Sequence, residues 1–442
     1  MFEQLQPILP CTADAPDGVL RIGGVAATEL AEAYGTPVIA YDRQHLERSA
    51  RAWTDAFAAH TPGALVAYAS KAFSSVGMLA LLGELGLGAD VASEGELRVA
   101  IRAGIDPARI VVHGNNKSEA ELAAAVDAGV GLIVLDAPDE LELLAAIAID
   151  RGRTQDVLVR LNPDIEVETH RYISTSHAGS KFGVPGDVAS SMLVRATEVD
   201  GLRPLGVHLH LGSQLLDLDP WRRVLTWLAG WALELRERTG VTIEVLDVGG
   251  GLGIAYTEAQ DPPTPAQVAE CVLGTLETTW SSVGLQLPRL VVEPGRSIVG
   301  QAAVTIYRVG VVKATGDDDV HYVNVDGGMS DNPRPVLYQA TYRALLAERV
   351  HDAAAGAWWV AGVHCESGDV LVEDAQLPHP RRGELLAIPA TGAYAASMAS
   401  TYNLVPRCAV VLVGGGEHRV LLRRETLDEL LARDADADRV GA

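Results

Sequence analysis

Lys71 is one of only four lysines among the 35 basic residues of this 442-residue chain, the others being Lys117, Lys181 and Lys313. Alanine and glycine abound, as in the product of a GC-rich genome, where lysine drifts to arginine wherever arginine will serve. A lysine kept just after the apolar run of VAYASKAFSS (66–75) therefore invites a chemical reading. Its amine can lose a proton and attack a carbonyl carbon, whereas a guanidinium stays charged. Desolvation between apolar neighbours disfavours the ammonium form, which suits a Schiff-base lysine. Taken alone, the stretch equally suits a lysine paired with a carboxylate such as Asp90.

Three further stretches carry chemistry. In DVGGGLG (247–253), backbone amides unobstructed by side chains can close around an anion, or the glycines can merely turn the chain. EPGR (293–296) offers a carboxylate, Glu293, and a guanidinium, Arg296, three residues apart. HLHLGSQ (208–214) puts His208 and His210 on one side of an extended segment, followed by Ser213. That pair reads as a ring stacked on a flat cofactor, as buried structural histidines, or as an HxH metal motif. An amine, an anion nest and a nearby carboxylate are what pyridoxal phosphate needs for its aldehyde, its phosphate and its ring nitrogen.

The elements that must position these groups form a regular series. Short apolar runs lie at 65–70, 88–93, 109–114, 131–136, 156–162, 204–211, 243–251 and 289–295. Helical periodicity fills intervening segments such as 118–129 and 221–240, the latter stopping at Gly240. Strands alternating with helices imply parallel pairing. The span approaches the ~250 residues of a (β/α)8 barrel, whose chemistry sits at the C-terminal ends of its strands. Those ends carry Lys71, Asp90 with Ser93, His113, Asp136, Asn162, His210, Gly249 to Gly251, and Glu293 to Arg296. Beyond residue 300 the runs at 304–315, 320–326, 358–363, 369–374, 384–390, 407–413 and 418–424 predict an all-β domain, which TPVIAYD (36–42) can join. The expected organisation is a 1–44 segment joining the β domain, a barrel at 45–300, the C-terminal β domain at 301–430 and a disordered tail at 431–442.

A net charge of −23 argues against nucleic acid as a partner. Four scattered cysteines without a CxxC pair argue against a disulfide framework or zinc knuckle. With no leader-like segment and no apolar run of ~18 residues, the expected setting is the cytoplasm, away from membranes.

YASKAF, HGNNKS (113–118), HRYISTSH…KFG (170–183), HLHLGSQ, DVGGGLG, VEPGR, VDGGMSDNPRPVLY (325–338), HCESGD (364–369) and TGAY…YN (391–403) together resemble the diaminopimelate decarboxylases. These are fold-type III pyridoxal-phosphate enzymes related to the ornithine and arginine decarboxylases, and the resemblance runs from about residue 36 to 413. It implies an α/β protein, a (β/α)8 barrel of alanine-racemase type followed by a C-terminal β domain, working as a homodimer with active sites at the interface. It also implies decarboxylation of meso-2,6-diaminopimelate to L-lysine and CO2, the last step of lysine biosynthesis.

By the same resemblance Lys71 bears pyridoxal 5'-phosphate, Glu293 partners the ring nitrogen and His210 stacks on the ring. Ser213, Gly250, Gly295, Arg296 and Tyr394 surround the phosphate. Arg296, Arg334, Tyr338 and Tyr394 contact substrate. Cys365, as proton donor, and Glu366, as reader of the distal end, come from the partner subunit. Two stretches depart from the family pattern: AASMAS (395–400), where small residues at Ala395 and Ala396 imply a wider pocket, and KAF in place of KAN at Phe73. The alternatives are a decarboxylase or racemase of another amino acid on this fold, or a non-catalytic pyridoxal-phosphate-binding barrel.

Overall fold

Parallel strands buried on both faces read as unbroken apolar runs, and the eight runs between residues 65 and 295 are the eight strands of a closed barrel. The computed structural model describes residues 2–58, 63–163, 180–315 and 320–435. The barrel strands are β1 (Leu65–Ala69), β2 (Gly88–Val91), β3 (Ile110–Val112), β4 (Leu132–Leu135), β5 (Gln155–Arg160), β6 (Leu202–His208), β7 (Val245–Asp247) and β8 (Arg289–Val292). β8 closes onto β1 through the parallel pairs Val291–Leu65 and Val292–Val66. Every residue of β1, β2 and β4 is buried. Leu65, Ala67, Val111, Leu132, Val134, Leu158, Leu205, Val245 and Val291 form one apolar cluster, each large side chain contributing about 1.5–3 kcal/mol by leaving water.

The connecting helices start and stop on recognisable signals. Ser118 and Glu121 form a capping box at the head of Glu119–Ala128, and Gly129 ends that helix in the left-handed conformation. Asp219–Thr239 ends at Gly240 in the same way. Ser118 marks where the chain beyond β3 enters a helix, and Gly129 and Gly240 mark where two helices stop.

The chain divides into two compact units. The barrel unit comprises Ser49–Gly253 and Pro262–Ser297; the other comprises Met1–Arg48, Ile254–Asp261 and Ile298–Ala442. Ile254 and Tyr256 join the second unit because they pack with Tyr307, Tyr342, Leu386 and Ile388. Its main sheet is mixed. The long strand Ala303–Thr315 pairs antiparallel with Val38–Asp42, which pairs parallel with Ala409–Gly414. The N-terminal strand thus lies inside the sheet expected to recruit it. The short strands Arg21–Ile22, Val25–Ala26 and Leu345–Leu346 had no counterpart in the apolar pattern. The 170–179 part of the HRYISTSH…KFG stretch, and the tail from 436, lie outside the described residues.

Candidate active site

Lys71 sits in a single 3-10 turn, Ser70–Ala72, directly after β1. The turn is tied by the Tyr68 hydroxyl, which donates to the Phe73 carbonyl at 2.9 Å and accepts from the Phe73 amide at 3.1 Å. Phe73 is buried. Lys71 Nζ lies 3.2 Å from Asp90 Oδ2, Asp90 being buried on β2 while the lysine side chain keeps 44% of its exposure. The pairing with Asp90 and an accessible amine therefore coexist.

Glu293 follows β8 and is almost fully buried. Its Oε1 lies 2.5 Å from His113 Nε2 and its Oε2 3.4 Å from His208 Nε2. Burial pushes this carboxyl up, but His113 and His208 more than reverse the shift and hold it well below the usual carboxylate range. Asp247, at the end of β7, goes the other way: burial and then the Glu293 charge push its carboxyl well above the usual carboxylate range. Burial pulls His208 down to about 3, so it is neutral. His210 is also kept neutral, by burial and by the charges of Lys71 and Arg160. The His208 and His210 rings lie nearly parallel, 6.5 Å apart. They form no HxH chelate: among the described residues His208 groups with His113, Asp247 and Glu293, and His210 does not.

The glycine run makes a tight cradle. A Cβ on Gly250 would lie 2.2 Å from the Glu293 carbonyl oxygen, and one on Gly249, at φ +66°, 2.4 Å from the Leu209 oxygen. Nearby, Arg296 donates to Ser213 Oγ at 2.8 Å, joining the two polar residues expected at an anion. A Cβ on Gly295 would press on Ala69 and Ala72 at 2.9 and 3.2 Å, so this glycine lets the Lys71 turn pack closely.

In the second unit, Arg334 is buried at the start of the helix Arg334–Tyr338. Its guanidinium lies 4.4 Å over the Tyr256 ring, donates to the Tyr342 hydroxyl and feels Tyr394. Tyr338 ends the same helix, and Tyr394 holds a positive φ of 62°. Cys365 and Glu366 are exposed on a loop whose base is pinned. Asp369 accepts from the Met329 and His364 amides at 2.7 and 2.9 Å, and Asn403 accepts from the Cys365 amide at 3.2 Å. Ala395 is fully buried, while Ala396 lines a groove with Ala399, Arg407, Cys408 and Val410.

Sequence reasoning gave no role to Asp247 or to Arg160, a partly buried arginine whose charge neighbours are Asp136, Glu293, Asp90 and Asp247. The signal available was a charged residue inside an apolar strand run. It also noted His113 only as a strand-end residue.

The barrel's donor set fits pyridoxal phosphate. It offers one accessible amine, a buried carboxylate held ionised, and a hydroxyl–guanidinium pair with a glycine cradle that no larger residue could form.

The family model described as "Pyridoxal-dependent decarboxylase, pyridoxal binding domain" matches residues 43–300. The diaminopimelate decarboxylase of Mycobacterium bovis is 46% identical, with 94% of each chain covered. That of Bacillus subtilis is 42% identical over 94% of this chain and 95% of its own. The crystal structure of diaminopimelate decarboxylase from M. jannaschii in complex with L-lysine has a TM-score of 0.90 at 33% identity, covering 96% of this chain and 98% of that one.

Proposed function

Because the chain belongs to the pyridoxal-dependent decarboxylases, and within them to the diaminopimelate decarboxylases, we propose a role for each of its site residues in the family's reaction. The enzyme removes one carboxylate of meso-2,6-diaminopimelate as CO2 and makes L-lysine. Pyridoxal phosphate, when bound, supplies an aldehyde for an amine to hold and a ring that takes up the electron pair left when CO2 departs.

Lys71 is the residue that would hold the cofactor covalently, and Asp90 neutralises the lysine ammonium whenever the amine is free. Glu293 would keep a proton at the cofactor's ring nitrogen, which an arginine at this place would not do; that choice favours loss of CO2 over racemisation. His210, its imidazole held neutral by burial, would face the cofactor ring without adding charge to it. Ser213, Arg296 and the amides around Gly250 hold the phosphate, with Gly295 and Tyr394 beside them. Arg296, Tyr338 and Tyr394 line the substrate.

Diaminopimelate carries an amino-acid group at each end. Arg334 pairs with the distal carboxylate and Glu366 with the distal ammonium. Ornithine has no distal carboxylate to satisfy a buried guanidinium, and leaving that charge unpaired is costly. Cys365 delivers the proton that replaces CO2 on the α-carbon and is reprotonated from solvent. Cys365 and Glu366 come from a second copy of the chain, so the working form is a homodimer; their exposure on an anchored loop supports this. We place the enzyme in the cytoplasm, in keeping with four cysteines that are all free. No helix among the described residues is long and apolar enough to cross a membrane.

The observation that carries the assignment is the accessible Lys71 amine beside Asp90 in the same barrel unit as the buried, ionised Glu293. Incubation with pyridoxal phosphate should give an absorbance band near the visible edge, and borohydride should fix the label at Lys71. Lys71→Ala should abolish both. CO2 should be released from diaminopimelate and not from ornithine. A colourless protein with no label at Lys71 refutes the assignment.

A further inference from the structure

We propose that His113 is a positioning residue for this reaction: its Nε2, the nearest group to the buried Glu293 carboxylate, sets where that carboxylate stands. The proposal rests on the role given to Glu293 above and extends it to the groups behind that residue. A carboxylate buried as deeply as Glu293 needs a partner close beside it, or it takes up a proton and loses its function. Three groups surround it, all with polar atoms within 4.8 Å of one another: His113, His208 and Asp247. They are not equivalent. His208 stands off at 3.4 Å. Asp247 spends Oδ1 on the Gly249 amide at 2.8 Å, and its Oδ2 has no hydrogen-bond partner among the described residues. His113 makes the short contact, 2.5 Å, as a close charge contact off the direction of an aligned hydrogen bond.

His113 also stands between the two working ends of the site. The same Nε2 lies 3.8 Å from Asp90 Oδ1, and Asp90 Oδ2 holds Lys71 at 3.2 Å. The other charged groups facing the cluster are Arg160 and, through His210, the Lys71 amine. The loop after His113 is fixed independently: Lys117 Nζ donates to the Gly114 carbonyl at 2.5 Å and to the Val134 carbonyl at 2.9 Å, and forms an ion pair with Glu140 at 2.6 Å. The imidazole therefore does not need Glu293 to hold its backbone in place.

The test uses the holoenzyme and four variants: His113→Leu, His113→Gln, Glu293→Gln, and the His113→Leu/Glu293→Gln pair. Borohydride labelling at Lys71 is measured first, because its absence in the unsubstituted protein would refute the assignment of function rather than this inference. With labelling intact, His113→Leu should lower kcat about 10- to 100-fold with KM within threefold, the usual cost of losing the partner that orients a directly acting group. It should also move the pH midpoint of the bound cofactor's absorbance band. His113→Gln, which keeps an N–H donor, should recover kcat to within about fivefold. In the Glu293→Gln background, His113→Leu should cost less than about twofold, because the residue it acts through is gone. Losses that multiply in the double variant overturn the proposal, as does an unmoved absorbance titration. If His113→Leu does not fold, His113→Gln decides: a folded, labelled Gln variant that loses more than tenfold in kcat overturns it, and recovery with an unmoved KM supports it.

Discussion

Gly250→Ala is a sharp probe of the glycine cradle, because its effect follows from one distance. The added Cβ would lie 2.2 Å from the Glu293 carbonyl oxygen and 3.1 Å from the Glu293 carbonyl carbon, where real Cβ atoms essentially never come within 3.0 Å. The obstacle is backbone, so no rotamer change relieves it. Gly250 is not among the glycines with positive φ, so conformational strain adds nothing and the clash stands alone. One of the two loops must retreat by about 0.8 Å, and the loops concerned carry the anion cradle and Glu293. Overpacking of this kind costs about 1–3 kcal/mol. Without cofactor the glycine turn can relax away from Glu293 at small cost; with cofactor the cradle must close again. If about 2 kcal/mol falls on that step, the cofactor's Kd rises roughly 30-fold. Absorbance titration of the apoprotein measures Kd directly, and the rise in Tm on adding cofactor should shrink in parallel. Gly230→Ala is the control: it lies within the helix Asp219–Thr239, meets nothing within 4 Å, and should be neutral or slightly stabilising. A Gly250→Ala protein whose cofactor Kd stays within twofold of the unsubstituted value refutes the reasoning.

Two other consequences concern stability. Burial depresses His208 from 6.5 to about 3, so between those pH values the unfolded chain binds a proton that the native protein refuses. Stability is full above about pH 6.5 and falls as pH drops through that window; this one group costs roughly 2 kcal/mol by pH 5. Urea melts at pH 7.5 and 5 should show the loss, and His208→Gln should flatten the slope; an equally steep slope in the variant contradicts it. Lys117→Met removes one side of a buried ion pair, Nζ to Glu140 Oε1 at 2.6 Å, and should destabilise by about 3–5 kcal/mol. The pair Lys117→Met/Glu140→Gln should recover much of that, since no uncompensated charge remains; chemical denaturation of both variants checks it.

The barrel was legible because its physics is local. A strand covered on both faces must be apolar throughout, as β1, β2 and β4 are, and caps such as Ser118 and Gly240 mark helix ends within a few residues. Residues at strand ends could be named in advance, since parallel topology sends every C-terminal end to one face. What joins them could not. His113 and Glu293 lie 180 positions apart, and their 2.5 Å contact depends on closing β8 onto β1. Asp247 and Arg160 look like interruptions of an apolar run until the barrel supplies their neighbours. Two-residue strands such as Leu345–Leu346 carry no periodicity to detect.

The scarcity of lysine was a useful lead, and the structure shows what it was worth. Lys71 needs to be lysine because an amine can be deprotonated and a guanidinium cannot. Lys117 needs it for a different reason. Its Nζ has three acceptors around it, the Gly114 and Val134 carbonyls and Glu140 Oε1, at 2.5, 2.9 and 2.6 Å. A compact ammonium can donate to the two carbonyls while its charge sits beside the carboxylate, whose Oε1 lies off the hydrogen-bond direction; a planar fork of five donors would leave some buried without partners. Lys181 and Lys313 lie 4.8 and 5.6 Å from the rings of Phe182 and Tyr322, contacts that arginine makes at least as well. So a retained lysine in an arginine-rich chain points to chemistry or to a compact buried site, and composition cannot separate the two. The discriminating feature is exposure: Lys71 keeps 44% of its side-chain surface for an incoming aldehyde, and Lys117 keeps 4%.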